Sequence, residues 1–370
     1  MSDNAAGRSP GGKSAPLEVS GDGARRDAPP TLAERFPGLV CDLDGVVYRG
    51  AQAVPHAVDS LTAVSRSGGR IVYATNNASR PPAVVAESLR HLGLTVGVDD
   101  VLTSSIAGAR HLAEDLRPGA QVLAIGGPGV AEALQDAGFR PVSPDAAPEV
   151  HVDAVLQGYG SGVTAAQLGE AAYAIQGGAR WVATNDDLTL PTDRGVAPGN
   201  GSLVAAVRLA VEVDPVVVGK PGALLYELAA QALGTDVEHT LGVGDRLETD
   251  VAGAHAAGLS ALHVLTGVHG PADLVRARPD LRPRFVAEDL RALGEAYQEP
   301  QRVLDGRWTL ADASAAASGG GETFRIEFTA ENGVPSWIVR LRLALALLWE
   351  SLDAGALTPD QAVAALPVRG

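Results

Sequence analysis

Short, nearly uninterrupted apolar runs alternate with stretches whose apolar residues recur at helical spacing along most of the chain. The runs predict strands at Leu39–Cys41, Arg70–Ala74, Gln121–Ile125, Val152–Leu156, Trp181–Ala183, Pro215–Val218, Leu241–Val243, Ala261–Leu265 and Phe285–Val286. The helical spacing predicts helices at Ala57–Ser67, Pro82–Leu92, Ser105–Leu116, Thr164–Gln176, Leu203–Val211, Gly222–Leu233 and Asp250–Ala257. Strand–helix alternation of this kind defines an α/β protein with parallel sheets and helical crossovers. Apolar residues on both faces of the strands imply sheets covered on both sides. Polar, Gly/Pro-containing joints at residues 113–121 and 212–215 mark off an insert. The expected layout is a core of residues 32–113 and 214–298, an inserted α/β cap at 114–213, and a C-terminal segment at 299–370. Within that segment, residues 311–322 (ADASAAASGGGE) read as an Ala/Ser/Gly linker. A short β-like run, Phe324–Phe328, and an amphipathic helix, Trp337–Leu352, follow and give a small α+β appendage.

Composition narrows the classes. Residues 1–31 are rich in Gly, Ser, Pro and Ala and too poor in large apolar side chains to offset the entropy of ordering, so a disordered tail is expected there. No segment has the roughly 20 consecutive apolar residues of a membrane-spanning helix, and the N-terminus has no apolar run of signal-peptide length. Lys and Arg number 29 against 44 Asp and Glu, a formal charge of −15 that argues against a nucleic-acid partner. The one cysteine, Cys41, excludes an internal disulfide and a Cys-cluster metal site and fits a reducing, cytoplasmic setting.

The chemistry stands at the carboxyl ends of four predicted strands, where open α/β sheets bind ligands. LVC runs into Asp42-Leu43-Asp44-Gly45, and IVYA into Thr75-Asn76-Asn77. VVV runs into Gly219-Lys220-Pro221, and LGV into Gly244-Asp245 and on to Asp250. If the four strands are neighbours, two acidic clusters, a hydroxyl/amide pair and a lysine converge. Asp42 and Asp44 alternate with Leu43, so extended backbone turns both carboxylates to one face. Gathered carboxylates repel unless a hard divalent cation such as Mg²⁺ joins them. Thr75, the backbone beyond it and Lys220 are donors suited to phosphate oxygens. A carboxylate nucleophile (Asp42), a second carboxylate to move a proton (Asp44), a cation and a positive clamp are the parts that phosphoryl transfer requires.

These segments resemble a known family. DLDGVVYRG (42–50), TNNAS (75–79), GKP (219–221) and GDRLETDVAGAHAAG (244–258) look like the four motifs of the haloacid-dehalogenase (HAD) superfamily of phosphatases, in order and spacing. The insert is similar to the cap of class IIA members, a group that includes p-nitrophenyl, phosphoglycolate, pyridoxal and glycerol-3-phosphate phosphatases. The resemblance covers about residues 34–298 and includes WVATNDD (181–187) and PGNGSLVAAV (198–207). It implies a Rossmann-like parallel-sheet core (the HAD fold), with Asp42 as nucleophile and Asp44 as acid/base. Thr75, Asn76, Asn77 and Lys220 would hold phosphate. Mg²⁺ would be bound by Asp42, the main-chain carbonyl of Asp44 and Asp245, with Asp250 supporting from behind. The Ala/Gly-rich composition and C-terminal extension look most like actinobacterial glycerol-3-phosphate phosphatases, which makes glycerol 3-phosphate the leading substrate among small phosphorylated metabolites.

Several of these residues also have blander readings. Thr75-Asn76 could merely cap the helix region at Pro82, Lys220 could be a surface lysine at a helix start, and Asp250 could only cap a helix. Gly126-Gly127-Pro128-Gly129 lacks the Gly-Lys-Ser/Thr ending of a nucleotide loop and reads as a tight turn. Asn185, Asp186 and Asp187 follow a cap strand, and Asn185 in particular is expected to face substrate. An EF-hand fails because Val46, Val47 and Ala53 stand where a ligand, the Gly and the terminal Glu are needed. A receiver-type phospho-Asp switch would share Asp42, Thr75 and Lys220 but has no use for Asp44 or a cap. The C-terminal segment carries no pyrophosphate loop. It reads as a packing appendage that, like the cap, could mediate a homodimer.

Overall fold

The computed structural model describes residues 29–192 and 194–369. Most of the expected N-terminal tail, residues 1–28, lies outside them. Thr31, the last residue of that tail, instead caps the helix Leu32–Arg35, its Oγ1 accepting the Glu34 amide at 3.1 Å.

Six parallel strands form the main sheet in the spatial order Phe285–Ala287, Ser260–Val264, Thr240–Gly244, Gly38–Cys41, Arg70–Thr75, Val101–Thr103. Gly38–Cys41 is central, with Val40 in register with Gly242 on one side and Val72 on the other. All four of its residues are buried, as expected for a strand covered on both faces. The strand order reverses at this position, which opens a crevice beyond its carboxyl end.

A second parallel sheet runs Val216–Val217, Arg180–Ala183, Ala154–Gln157, Gln121–Ile125, Arg140–Val142. This corrects one expectation. Only three of the four motif-bearing strands are neighbours; the strand before Gly219-Lys220 pairs with Arg180–Ala183, across the expected boundary at 213/214. A two-residue strand offers too little apolar pattern to show its partner. A hairpin, Thr189–Thr192 with Gly195–Pro198, hangs from this sheet. The Gly126–Gly129 turn opens the helix Pro128–Asp136 and docks against the main-sheet side, the Gly129 amide donating to the Ser79 carbonyl at 3.0 Å.

The second correction concerns residues 311–322. Ala313–Ser318 is no linker but an inner strand of a four-stranded antiparallel sheet, Gln301–Arg302, Trp308–Leu310, Ala313–Ser318, Arg325–Ala330. Its small side chains leave room for the helix Trp337–Asp353 to pack on that face, burying Ala313, Ala315, Leu341, Ala344 and Leu348 together. The appendage is joined to the main sheet by Arg342 Nε donating to the Val286 carbonyl at 2.7 Å, and to the helix Pro271–Arg276 beside it by Trp349 Nε1 donating to the Leu274 carbonyl at 2.8 Å. A third difference is smaller: Asp250 lies not at a helix start but inside a wide helical turn, Leu247–Val251, that precedes the helix Ala252–Ala256. No helix among the described residues is long and apolar enough to cross a membrane.

The strand Ser260–Val264 carries a fully buried histidine, His263, whose Nε2 donates to the His269 carbonyl at 3.0 Å while Nδ1 has no partner. Burial pushes its pKa down to about 4. The unfolded chain takes up this proton near pH 6.5, so between about pH 6.5 and 4 it binds more protons than the folded protein and acid favours unfolding. The expected loss across that window is about 3 kcal/mol, with none above it. Thermal unfolding of His263→Gln against the unsubstituted protein isolates the effect, and the variant's midpoint should fall less steeply over those pH values.

Candidate active site

Local turn geometry presents the first acidic pair. The Asp42 amide still donates to the Val243 carbonyl, extending the sheet by one residue. Leu43 turns into the core with no exposure, and its carbonyl accepts the amides of Val46, Val47 and Tyr48, closing a tight loop. Asp42 and Asp44 are thereby left on the crevice side. Gly45 has φ +83°, and a Cβ there would stand 2.5 Å from Asp245 Oδ2, so the turn requires glycine on both counts. Thr266 Oγ1 holds the loop from outside by donating to the Gly45 carbonyl at 2.7 Å.

Three carboxylates and one ammonium form the buried centre. Lys220 Nζ lies 2.5 Å from Asp42 Oδ1 and 2.8 Å from Asp250 Oδ1. The other Asp250 oxygen accepts the amides of Asp245 (3.3 Å) and Arg246 (3.1 Å), so both of its oxygens are committed to protein donors. Asp245 accepts the Val268 amide at 2.6 Å through Oδ2, whereas its Oδ1 is buried without a partner. Oxygen atoms of Asp42, Asp245 and Asp250 lie within 4.8 Å of one another. Burial pushes Asp42 well above the usual carboxylate range, Lys220 pulls against it, and Asp250 and Asp245 add repulsion. Burial and then Asp250 push Asp245 up to about 6. Burial alone would lower Lys220, but Asp250 and Asp42 outweigh it and hold the ammonium well above the usual lysine range. One ammonium facing three carboxylates leaves two negative charges, which a divalent cation neutralises. The orphaned Asp245 Oδ1 is the oxygen placed to meet it, so the donor set fits Mg²⁺.

Asp44 opens toward solvent across the cleft. Crowding by protein still raises its carboxyl above the usual range, against the pull of Arg80, Arg246 and Lys220.

The expected phosphate-binding residues divide. Thr75 is buried at the cleft floor, and its Oγ1 accepts the Asn77 amide at 3.1 Å. It caps no helix; the helix Pro82–His91 starts after Pro81 without a side-chain cap. Asn77 is exposed, and its Oδ1 accepts the amide and hydroxyl of Ser79. The Asn76 side chain is spent on Lys220, accepting its amide at 2.8 Å and donating to its carbonyl at 3.0 Å. Asn185 donates to the Asn76 carbonyl at 2.8 Å and is itself held by Asn200, whose Nδ2 donates to the Asn185 carbonyl at 2.6 Å. This relay ties Lys220, which enters from the second sheet, to the end of Arg70–Thr75 in the first.

The sequence marks Asp187 only as one of a triplet and does not mark several other cleft residues at all. Asp187 accepts from Asn76 Nδ2 at 3.2 Å, and burial raises its carboxyl above the usual range. The NDD triplet flagged its neighbourhood, but alternation alone does not choose among three successive polar residues. Arg49, Tyr159, Leu190 and Arg246 also line the cleft, and the 189–198 hairpin that supplies Leu190 has no apolar alternation to announce it. The cleft has a volume of about 630 Å³ and draws its walls from both parallel sheets and the hairpin.

Fold and site together define the class: the chain belongs to the haloacid dehalogenase-like hydrolases. The family described as haloacid dehalogenase-like hydrolase matches residues 39–140, and the one described as HAD-hydrolase-like matches residues 217–293. The D-glycerol 3-phosphate phosphatase of Mycobacterium tuberculosis is 46% identical over 71% of this chain and 72% of its own length. The 5'-nucleotidase YutF of Bacillus subtilis is 35% identical over 63% of this chain and 88% of its own. A crystal structure of glycerol phosphate phosphatase from M. tuberculosis in complex with magnesium superposes with a TM-score of 0.75 at 39% identity, covering 86% of this chain and 92% of that one.

Proposed function

We propose that the chain is a Mg²⁺-dependent phosphomonoester hydrolase that works through an aspartyl-phosphate on Asp42, with glycerol 3-phosphate as its leading substrate. The observation that carries the reading is the buried Asp42–Lys220–Asp250 contact set beside the unpartnered Asp245 oxygen. The M. tuberculosis relative, matched over most of the chain, supports the substrate. The net charge of −15 disfavours polyanions and suits small monoesters.

In this reading an Asp42 carboxylate oxygen attacks phosphorus, forming a P–O bond as the ester P–O bond breaks. Asp44 gives its proton to the departing alkoxide, for which its raised pKa suits it. It then takes a proton from the water that attacks the phospho-Asp42, releasing phosphate and restoring both residues. Lys220 and Thr75 hold phosphate oxygens, and the Asn77 amide, donating to Thr75 Oγ1, turns that hydroxyl's proton toward the phosphate. Asn76 and Asn185 act by fixing Lys220. Mg²⁺ would be held by Asp42, the Asp44 carbonyl and Asp245, with Asp250 behind them, and when bound it supplies neutralisation of phosphate charge. The same reading takes residues 32–113 and 218–298 as the catalytic core and residues 114–217 as a cap that excludes water and selects the leaving group. It sets the enzyme in the cytoplasm, with the cap or the appendage as the surface for a homodimer.

Phosphate release over a panel of small esters tests the proposal. Glycerol 3-phosphate should give the highest kcat/KM. A tenfold preference for a nucleoside monophosphate, which the YutF relative makes the second reading, would replace the substrate assignment. No release from any ester would overturn the hydrolase. Dialysis against EDTA should lower activity by about 100-fold or more, restored by Mg²⁺.

A further inference from the structure

A second cavity, of about 610 Å³, lies between the appendage helix Trp337–Asp353 and the edge strand Phe285–Ala287 of the main sheet. It shares no lining residue with the catalytic cleft. Four arginines and three carboxylates line it, and all but one of them are paired. Arg282 meets Asp353 at 2.6 Å, Arg284 meets Glu299 at 2.9 Å, and Arg302 meets Glu350 at 2.6 Å. Arg342 is left over. Its Nε is used on the Val286 carbonyl, its guanidinium lies 4.0 Å from the centre of the Tyr297 ring, and no carboxylate among the described residues forms an ion pair with it. A guanidinium stays ionised in proteins, so the cavity lining carries one more positive than negative charge, with Glu295 and Glu288 near enough to act on Arg342 but not paired with it.

The walls add a shape. Trp308 Nε1 is tied to Glu350 at 2.8 Å and Trp349 Nε1 to the Leu274 carbonyl at 2.8 Å, which fixes both indoles at the rim of the cavity. Their polar edges are satisfied and Arg282 lies over the Trp349 ring at 5.4 Å, so the flat apolar surface left for a ligand is the Trp308 face with the part of Trp349 that Arg282 does not cover. Within the lining the charge count favours a monoanion, because a second negative charge would face Glu299, Glu350 and Asp353, whose arginine partners (Arg284 with Arg35, Arg302 and Arg282) are already engaged. The volume is that of an ordinary small-molecule site.

We propose that this cavity binds a planar, apolar monocarboxylate, its carboxylate forked on Arg342 and its body against Trp308 and Trp349. Arg–carboxylate pairs are frequently bidentate, and a partly desolvated arginine makes the stronger ones. The site is independent of the phosphatase reading.

The test is titration calorimetry of the full-length protein with 2-naphthoate. One site per chain is expected, with the neutral isostere 2-naphthamide binding at least tenfold more weakly. Arg342→Met keeps the aliphatic stem and should lose tenfold or more in affinity while p-nitrophenyl phosphate hydrolysis is unchanged. Glu350→Gln removes a repelling charge and should tighten binding severalfold, a gain that a damaged fold cannot mimic. Equal affinity for acid and amide, displacement by inorganic phosphate, unchanged binding by a folded Arg342→Met variant, or no saturable binding at millimolar probe would each overturn the proposal.

Discussion

Asp42→Asn is expected to reduce turnover by about 10⁴-fold or more, the scale on which loss of a covalent nucleophile acts. An amide has no charge with which to attack phosphorus, and no other carboxylate can take over the position. Asp44 sits on the solvent side, the unpartnered Asp245 Oδ1 is the oxygen placed to meet the cation, and Asp250 has both oxygens committed to Lys220 and to two backbone amides. The fold should survive. Lys220 keeps its 2.8 Å contact with Asp250, and one of three mutually repelling carboxylates is gone. The unfolding midpoint should therefore hold or rise. Acid-quenched protein mixed with ³²P-labelled substrate should carry label on the unsubstituted chain and none on the variant. Hydrolysis by Asp42→Asn within tenfold of normal would reject the covalent pathway and leave a metal-activated water as the attacking group.

The parts of this site that were legible in the sequence are those set by a single strand end. Asp42, Asp44 and Asp245 follow strands of the six-stranded sheet and Thr75 ends one, and alternation through Leu43 is enough to set the facing of the first pair. Lys220 reaches the site by a route that strand ends alone do not show. Its strand belongs to the other sheet, and it reaches Asp42 because Asn76 clamps its peptide from both sides. No local pattern encodes a link between residues 144 positions apart, and the Asn76 and Asn185 side chains bond the Lys220 peptide and the Asn76 carbonyl. The C-terminal sheet failed to appear for a different reason. Ala313–Ser318 has neither β-branched nor aromatic residues, and it is a strand because the large side chains that pay for burial sit on the facing helix, at Leu341 and Leu348. Composition describes the segment correctly as small side chains; tertiary packing decides what such residues do.

The same clamp implies the second large effect, on stability rather than chemistry. Lys220→Met should lower the stability of the metal-free protein by about 3 kcal/mol or more, because removing one partner of a buried ion pair leaves the other uncompensated. Here two partners are stranded, Asp42 and Asp250, with Asp245 already raised to about 6 by burial and by Asp250. Methionine fills the space of the lysine stem, so a cavity contributes little and the loss is electrostatic. Two consequences separate this from general damage. Mg²⁺ should restore part of the lost stability, since it neutralises the same carboxylates. A further Asp250→Asn substitution should cost less in the Lys220→Met background than alone, because the amide ends the repulsion while keeping an oxygen for the Asp245 and Arg246 amides. Thermal unfolding of the two single variants and the double, with and without Mg²⁺, measures that coupling. If Lys220→Met melts with the unsubstituted protein in the absence of metal, the lysine does not bear the charge balance of the site, and its contacts with Asp42 and Asp250 are geometry without energy.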